Sequence, residues 1–278
     1  MKFPSAFPWR SSAPPSSSLS SSKRREDTAV LEFSNLTVGY GNTPVLSNLS
    51  LTLREGTLTA VIGPNGCGKS TLFKTALGLL PPLSGTVLLD GKPIAAMRRI
   101  EVARHISYLA QSKDTPEMTV RQAVLHGRFP YLSYPRFYRE EDRAIAHAAM
   151  KKMGILPYAD TPLSLLSGGE KQNAYIAMAL AQNTQTLLLD EPTSFLDVRH
   201  AHALLKTLKE LAKEGRAVAL VMHDLPLAFS FADSVAVLAD GGLLICDTPE
   251  RVLSSGAVRE ALGVDLLYSD TAGYYYRY

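Results

Sequence analysis

Two segments near the start of the chain alternate between apolar and polar residues. Residues 29–36 (AVLEFSNL) and 49–53 (LSLTL) both show this period of two. Such a period places apolar side chains on one face of a β-strand and polar side chains on the other. The pattern therefore predicts two strands, each with one face towards solvent.

Three later segments are short and apolar along most of their length. They are residues 58–62 (LTAVI), 186–190 (TLLLD) and 217–222 (AVALVM). Continuous apolar runs are typical of strands in parallel sheets that are covered on both faces. We therefore expect an α/β fold with a parallel core sheet. Residues 234–247 add a predicted hairpin, with its turn at 240–242.

Helical periodicity predicts the elements between these strands. Residues 70–80 predict a helix that ends before two prolines. Residues 113–165 are mainly helical in pattern, apart from a loop rich in proline and aromatic residues. A further amphipathic helix is predicted from the i, i+3, i+4, i+7 spacing of Ala174, Ala177, Met178 and Ala181. We assign residues 113–182 approximately to a helical subdomain inserted between strands.

Composition limits the class of protein. Hydrophobic residues make up 46% of the 278 residues, which is enough for a sizeable core. The net charge of +3 gives no reason to expect a nucleic-acid partner, and two cysteines suit a reducing compartment. No apolar run approaches the ~18 residues needed to span a bilayer.

The first residues differ in composition from the rest. Residues 1–22 contain nine serines and four prolines but no acidic residue. We interpret residues 1–28 as a disordered tail, because such a segment buries too little apolar surface to become ordered. An organellar transit peptide is the alternative, although spaced arginines are missing. One large domain is then expected at residues 29–265, with a C-terminal tail at 266–278.

A glycine-rich segment follows the strand predicted at residues 58–62. It fits the pattern G-x-x-x-x-G-K-[ST] and consists of Gly63, Pro64, Asn65, Gly66, Cys67, Gly68, Lys69, Ser70 and Thr71. Glycines let successive backbone N–H groups point at phosphate oxygens. Lys69 would place a positive charge at the β- and γ-phosphates, and the Ser70 hydroxyl would ligate Mg²⁺. The segment therefore predicts a nucleotide site.

Two carboxylates and a histidine follow the other buried strands. Asp190 ends one strand, Glu191 comes next, and His223 follows the strand at 217–222. Parallel strands share their carboxyl edge, so these side chains are expected near Lys69. Asp190 would hold Mg²⁺ through water, Glu191 would be the general base, and His223 would contact the γ-phosphate. The alternative is a pair of surface carboxylates and a structural histidine.

A second anion site is predicted far from the first. Ser167, Gly168 and Gly169 stand at the start of the amphipathic helix, where backbone N–H groups and a hydroxyl favour an anion.

These motifs, with LSGGEKQ at 166–172, resemble the ATP-binding cassette (ABC) ATPases over residues 29–250. The resemblance implies an α/β P-loop NTPase with a mostly parallel core sheet, an N-terminal antiparallel β part and an inserted helical subdomain. It implies ATP and Mg²⁺ as cofactors. It assigns Tyr40 to adenine stacking and Gln111 to Mg²⁺ contact. Glu170 departs from the LSGGQ form of the signature.

The resemblance also implies a homodimer with shared sites. Ser167, Gly168, Gly169 and Asp197 of one copy would face the ATP held by the phosphate loop of the other. Glu191, His223 and Lys69 would then catalyse hydrolysis.

Within the family, the chain resembles a lone nucleotide-binding subunit of an importer. The pattern V-x-x-x-V-x-x-G-R-x-P matches the iron–siderophore, haem and cobalamin importer group at Val120, Val124, Gly127, Arg128 and Pro130. This resemblance implies integral-membrane permease partners, and indirectly an extracytoplasmic substrate-binding protein. It places the chain peripherally at the cytoplasmic face of the bacterial inner membrane, with no nucleic-acid partner and an iron–siderophore complex as the favoured cargo.

Three alternatives stay open. A haem importer and a cobalamin importer belong to the same group. A nucleic-acid-linked ABC ATPase is the third, because residues 128–139 are rich in arginine and aromatic residues, as single-strand-binding loops are.

Overall fold

Twelve strands form three sheets within residues 29–111, 116–194 and 196–277, which are the residues that the computed structural model describes. The predicted tail at residues 1–28 lies outside them. In chain order the strands are β1 (Ala29–Tyr40), β2 (Thr43–Arg54), β3 (Leu58–Ile62), β4 (Ser84–Leu89), β5 (Lys92–Pro93), β6 (Ile106–Leu109), β7 (Thr186–Asp190), β8 (Ala217–Val221), β9 (Ser234–Ala239), β10 (Gly242–Asp247), β11 (Asp265–Ser269) and β12 (Gly273–Arg277).

The central sheet has six strands in the order β10-β9-β3-β8-β7-β6. All neighbours are parallel except β9 and β10, which form the predicted antiparallel hairpin. Every residue of β3, β7 and β8 is buried. The continuous apolar runs thus correspond to strands covered on both faces, and the predicted parallel core sheet is confirmed.

A separate four-stranded sheet, in the order β2-β1-β4-β5, is antiparallel throughout. Strand β1 continues to Tyr40, four residues beyond the predicted end of its alternating pattern. The Ser47 N–H donates to the Gly241 carbonyl at 2.6 Å, which ties this sheet to the β9–β10 turn. The N-terminal antiparallel part is therefore confirmed.

Nine α-helices connect and cover the sheets within the described residues. They are α1 (Lys69–Ala76), α2 (Arg99–His105), α3 (Val120–His126), α4 (Glu140–Lys152), α5 (Gly168–Ala181), α6 (Val198–Lys213), α7 (Leu225–Phe231), α8 (Pro249–Ser255) and α9 (Ala257–Leu262). Helix α1 is shorter than the predicted 70–80, because the chain turns at Gly78, which has a φ of 65°. None of the helices in these ranges has the length and apolarity to cross a bilayer.

Two hydrophobic cores lie on opposite faces of the central sheet. Strand β3 contributes Ala60 and Ile62 to one core, which also contains α6, α7 and the helical insertion. Val61 points to the other core, which contains α1 and the antiparallel sheet. Alternate residues of a buried strand thus serve both cores, as a period of two requires.

The helical insertion lies in the chain between β6 and β7 and consists mainly of α3, α4 and α5. Gly127 allows α3 to approach α5 closely, because a Cβ at this position would lie 2.2 Å from the Met178 carbonyl oxygen. Residues 112–115, at the predicted start of the subdomain, are outside the described residues.

The C-terminal end differs from the predicted tail at 266–278. Strands β11 and β12 form an antiparallel hairpin that extends to Arg277. The hairpin is ordered by packing: Leu266 is buried, and Tyr274 and Tyr276 contact the core on the α7 side of the sheet.

Candidate functional site

The phosphate loop joins β3 to α1 in a conformation that only glycine tolerates at its first residue. Gly63 has a φ of 152°, and a Cβ here would lie 2.2 Å from the Leu238 carbonyl oxygen. The Lys69 ammonium lies inside the loop, where it donates to the carbonyl oxygens of Gly63 at 2.8 Å and Pro64 at 2.7 Å. Lys69 is only 6% exposed, so the loop holds its charge in a fixed place.

A groove of about 460 Å³ lies in front of this loop. Its lining consists of Asn65, Gly66, Gly68, Lys69, Ser70, Thr71, Gln111, Glu191 and His223. The three predicted catalytic side chains therefore meet in one groove, together with two of the three predicted Mg²⁺ contacts. Cys67 does not line the groove, and its Sγ lies 3.9 Å from Lys69 Nζ.

Helix α1 begins at the groove without a capping side chain. Its N-cap is Gly68, which makes no side-chain hydrogen bond to the first turn. The N–H groups of the first turn are therefore available to an anion, as is typical of phosphate sites.

Tyr40 lies at one end of the phosphate site. Its ring is 54% exposed, and its phenolic oxygen is 3.5 Å from Thr71 Oγ1. An exposed aromatic face beside the loop suits stacking on a nucleotide base, the role that the resemblance implies for Tyr40.

The Asp190 side chain is buried at the end of β7 and is only 2% exposed. The Tyr108 hydroxyl donates to its Oδ2 at 3.3 Å, and burial together with the Asp190 charge raises the pKa of Tyr108. Oδ1 has no hydrogen-bond partner within the described part of the chain. A buried carboxylate oxygen without a partner is costly, and a cation with its water shell would satisfy it. The donor set of Asp190, Ser70 and Gln111 offers oxygen ligands, which fit Mg²⁺.

Glu191 and His223 are in direct contact. His223 Nε2 lies 2.6 Å from Glu191 Oε1, and the Ser194 hydroxyl donates to Oε2 at 2.9 Å. Burial acts to raise the pKa of Glu191, but hydrogen bonds with His223, Ser194 and Gln111 together outweigh it and lower the pKa below its usual value. The carboxylate is therefore ionised at neutral pH, as a general base requires.

The backbone of Glu191 is strained. Its φ is 50°, in the left-handed region that costs a residue with a side chain roughly 1–2 kcal/mol. The Glu191 N–H donates to the Val221 carbonyl at 3.2 Å, so the turn after β7 is bonded to the end of β8. This turn brings the carboxylate to His223, and such strain is often found at functional sites.

The signature residues lie at the N-terminus of α5. Ser167 is the N-cap, and its hydroxyl and N–H both donate to Glu170 Oε2, at 2.7 and 2.8 Å. These bonds, and one from Tyr158, lower the pKa of Glu170. Glu170, the residue that departs from the LSGGQ form, therefore completes a capping box with Ser167. Within the described residues, Ser167, Gly168 and Gly169 are not part of the groove lining of their own subunit.

Asp197 occupies the same kind of position at α6. It is the N-cap, and its carboxylate accepts from the His200 N–H and contacts His200 Nδ1, at 2.9 and 2.8 Å. Asp197 is likewise absent from the groove lining that the structure describes.

Three residues contribute to the site although the sequence motifs assigned them no role in it: Tyr108, Ser194 and Gln172. The buried Gln172 amide donates to the Pro192 carbonyl at 2.7 Å, which connects the signature helix to the segment after Glu191. Gln172 lies on the face of α5 opposite the apolar positions that were identified, so periodicity gave no signal that it is buried. Ser194 lies three residues after Glu191, a spacing typical of local side-chain hydrogen bonds.

The loop suspected of binding nucleic acid uses its first arginine internally. Arg128 is 6% exposed; it donates to Asp142 Oδ1 at 2.9 Å and to the Ala181 carbonyl at 3.0 Å. Its guanidinium also lies over the Tyr131 ring, 4.0 Å from the centroid. This cation is therefore committed to the packing of the helical subdomain.

Comparison with known proteins supplies the family. The profile described as ABC transporter matches residues 46–194, more than half of the chain. The chain belongs to the ABC transporter family. Several residues of the phosphate loop, and Gln111, Glu191 and His223, are among those that the resemblance to ABC ATPases singled out. They line one groove, as expected for a member of this family.

Similar ABC proteins cover nearly the whole chain. The ferric enterobactin transport ATP-binding protein of Escherichia coli (strain K12) is 40% identical over 88% of this chain and 91% of its own. The hemin import ATP-binding protein of Pseudomonas entomophila (strain L48) is 38% identical over 86% of this chain and 94% of its own. The solved structure of cbiO1 from Clostridium perfringens, part of the ABC transporter complex cbiONQ, has a TM-score of 0.74 and 30% identity, covering 86% of this chain and 97% of that one.

As an ABC transporter subunit, the chain binds ATP and hydrolyses it to drive transport. Its partners are the membrane permease subunits of the transporter.

Proposed function

We propose that this chain energises the import of an iron–siderophore complex, as a homodimer of ATPase subunits bound peripherally to a pair of permeases at the cytoplasmic face of the inner membrane. The observation that carries the proposal is the 40% identity to a ferric enterobactin transport protein over 88% of the chain. A haem importer is the second candidate, because the hemin import relative is 38% identical over 86% of the chain.

The groove supports specific roles for its residues. Lys69 and the first-turn N–H groups of α1 would bind the β- and γ-phosphates, and Tyr40 would stack on the adenine. Ser70, Gln111 and Asp190 would hold Mg²⁺. When bound, Mg²⁺ would neutralise the charge that develops on the phosphate oxygens.

Hydrolysis would use the Glu191–His223 pair. The ionised Glu191 carboxylate would take a proton from water as the oxygen attacks the γ-phosphorus and the bond to the β-phosphate oxygen breaks. Both carboxylate oxygens have partners here, His223 on one and Ser194 on the other. A carboxylate oxygen can accept more than one hydrogen bond, so the attacking water would share an oxygen with one of these partners. Moving the His223 contact to the γ-phosphate would free a further acceptor position on Glu191, which agrees with the role that the sequence suggests for His223.

Growth on defined iron sources tests the import function. A strain in which this gene is deleted should stop growing when one class of ferric siderophore is the sole iron source, and should still grow on haem and ferrous iron. The unchanged gene should restore growth. A defect confined to haem would replace the siderophore proposal with the haem candidate, and normal growth on every ferric siderophore tested would overturn it.

A further inference from the structure

The C-terminal hairpin is one of the parts of the fold that the family profile does not cover. Strands β11 and β12 lie beyond residues 46–194, the segment that the family profile matches. The hairpin nevertheless packs along α7, the helix that begins two residues after His223. Its contacts with this helix place it next to a residue of the hydrolytic site.

The hairpin contacts both ends of one buried face of α7. Leu225 and Phe229 are four residues apart, which places them on the same face of the helix, and both are buried. The Tyr274 ring lies against Phe229, with 5.3 Å between the ring centroids. The Leu225 N–H donates to the Tyr276 hydroxyl oxygen at 3.2 Å.

The hydrogen bond to Tyr276 replaces a missing backbone partner. The first N–H groups of a helix have no acceptor within the helix, and Leu225 is the first residue of α7. The N-cap, Asp224, accepts from the Leu227 N–H at 3.0 Å, which satisfies a different position of the first turn. Tyr276 therefore acts as a second cap, supplied from a strand 51 residues away in sequence.

The capped turn of α7 lies next to His223 in the chain, so the cap can affect the position of this histidine. His223 directly precedes the N-cap Asp224, and its Nε2 lies 2.6 Å from Glu191 Oε1. A contact of this length depends on the position of the backbone that carries the imidazole. The first turn of α7 fixes that backbone on one side, and the end of β8 fixes it on the other.

We propose that Tyr276 is a positioning residue for hydrolysis: by capping α7, it holds His223 in place against Glu191. The inference rests on the role proposed above for His223. Tyr276 is not among the residues that line the phosphate groove, so its effect should fall on turnover and not on ATP binding.

Replacing Tyr276 by phenylalanine is the sharpest test. Tyr276→Phe keeps the ring in the core and removes only the hydroxyl. We expect kcat for ATP to fall about fivefold, the ratio that corresponds to the net contribution of one hydrogen bond. The KM for ATP should change less than about twofold, because no groove residue is altered. The thermal midpoint should fall by only a few degrees.

Tyr275→Phe provides a matched control. Tyr275 is on the same strand but points away from the core and is 39% exposed. Removing its hydroxyl should leave kcat, KM and the thermal midpoint unchanged. An equal fall of kcat in both variants would overturn the proposal.

A spectroscopic measurement separates positioning from general destabilisation. The chain has six histidines, and the imidazole resonance of His223 in ¹⁵N-histidine-labelled protein can be assigned from the spectrum of His223→Gln. Tyr276→Phe should shift this resonance, whereas Tyr275→Phe should not. An unmoved His223 resonance, or a fall of kcat that is matched by a rise in KM and a large loss of thermal stability, would overturn the positioning role.

The two proposals fail in different ways. If His223→Ala hydrolyses ATP at the parent rate, the catalytic role of His223 fails, and the inference about Tyr276 fails with it. If His223→Ala is impaired but Tyr276→Phe is not, only the inference about Tyr276 is overturned.

Discussion

Glu191, the proposed general base, holds its side chain in a defined place at some cost to the fold. Its left-handed backbone is unfavourable for a residue with a side chain, and the bond from its N–H to Val221 holds the strained turn in place. Contacts with His223 and Ser194 keep the carboxylate ionised and restrict its direction. The strain is therefore placed at the side chain that needs a defined orientation.

Glu191→Gln should separate binding from turnover. Glutamine has the same shape and can keep hydrogen bonds to its neighbours, but it cannot accept a proton at neutral pH. We expect ATP affinity to remain within about twofold of the parent, while kcat falls by at least about 100-fold, the usual contribution of a general base. Equilibrium binding of a fluorescent ATP analogue and steady-state hydrolysis measure the two quantities. Turnover within tenfold of the parent would exclude Glu191 as the base.

Ser194→Ala is the control for this substitution, and it predicts the direction in which the pKa of Glu191 should move. The Ser194 hydrogen bond stabilises the charged form of Glu191, so its removal should raise the pKa of the carboxyl group. The base then becomes protonated at a higher pH, and the acidic limb of the kcat profile should move towards neutral pH. Turnover at neutral pH should fall only a few-fold.

At the scale of elements, the helical subdomain is joined to its surroundings through Arg128. This arginine connects the end of α3 to α4 through Asp142, and to the C-terminus of α5 through the Ala181 carbonyl. Both members of the ion pair are buried, and the Arg139 N–H donates to the second oxygen of Asp142 at 3.0 Å. A buried pair with satisfied hydrogen bonds is costly to break from one side.

Arg128→Met should therefore destabilise the fold strongly. The substitution leaves the Asp142 carboxylate buried without its cation, for which we expect a loss of about 3–5 kcal/mol in the free energy of unfolding. The double variant Arg128→Met/Asp142→Leu should lose less, because no unpaired charge remains. Urea unfolding followed by circular dichroism measures each variant.

Arg121→Met gives a matched control, at a position on α3 seven residues before Arg128. Arg121 forms an ion pair with Asp160 at 2.9 Å, but both side chains are exposed. Exposed pairs contribute at most about 1 kcal/mol, so this loss should be small. Equal losses for Arg121→Met and Arg128→Met would contradict the importance of burial.

The elements that could be predicted are those whose own residues show a clear pattern of apolar and polar positions. Strands β3 and β7 have the bounds expected from their apolar runs, because a strand covered on both faces must be apolar throughout. The β11–β12 hairpin gave no such signal. Tyrosine suits both a core and a surface, so the run of three tyrosines at 274–276 shows no alternation until packing on α7 selects Tyr274 and Tyr276.

The same distinction applies to the groove. The phosphate loop could be predicted because its conformation depends on glycines that are close in sequence. Tyr108 could not, because it reaches Asp190 across 82 residues of chain, and nothing near Tyr108 indicates that contact. Long-range pairs of this kind are determined by which strands become neighbours, and a single sequence does not show that order.

At the scale of the whole molecule, each subunit carries signature residues that its own groove does not use. Ser167 and Asp197 cap helices outside the groove lining of the described residues. The Gln172 bond to the Pro192 carbonyl links the signature helix to the segment after Glu191. If the signature contacts the ATP of the partner subunit, as proposed, this bond would join that contact to the segment after the proposed base of the same subunit.

Mixing two inactive variants tests the shared site directly. Ser167→Arg keeps an intact phosphate loop and Glu191, whereas Glu191→Gln keeps an intact signature. If Ser167 acts on the ATP of its partner, neither homodimer hydrolyses ATP, but a mixed dimer contains one complete site, made from the loop of one variant and the signature of the other. Equal mixing makes half of the dimers mixed, so the expected rate is about a quarter of the parent rate if dimers form at random. Ser167→Arg alone should bind ATP with parent affinity. If the mixture hydrolyses ATP no faster than the sum of the separate variants, the signature does not act across the dimer.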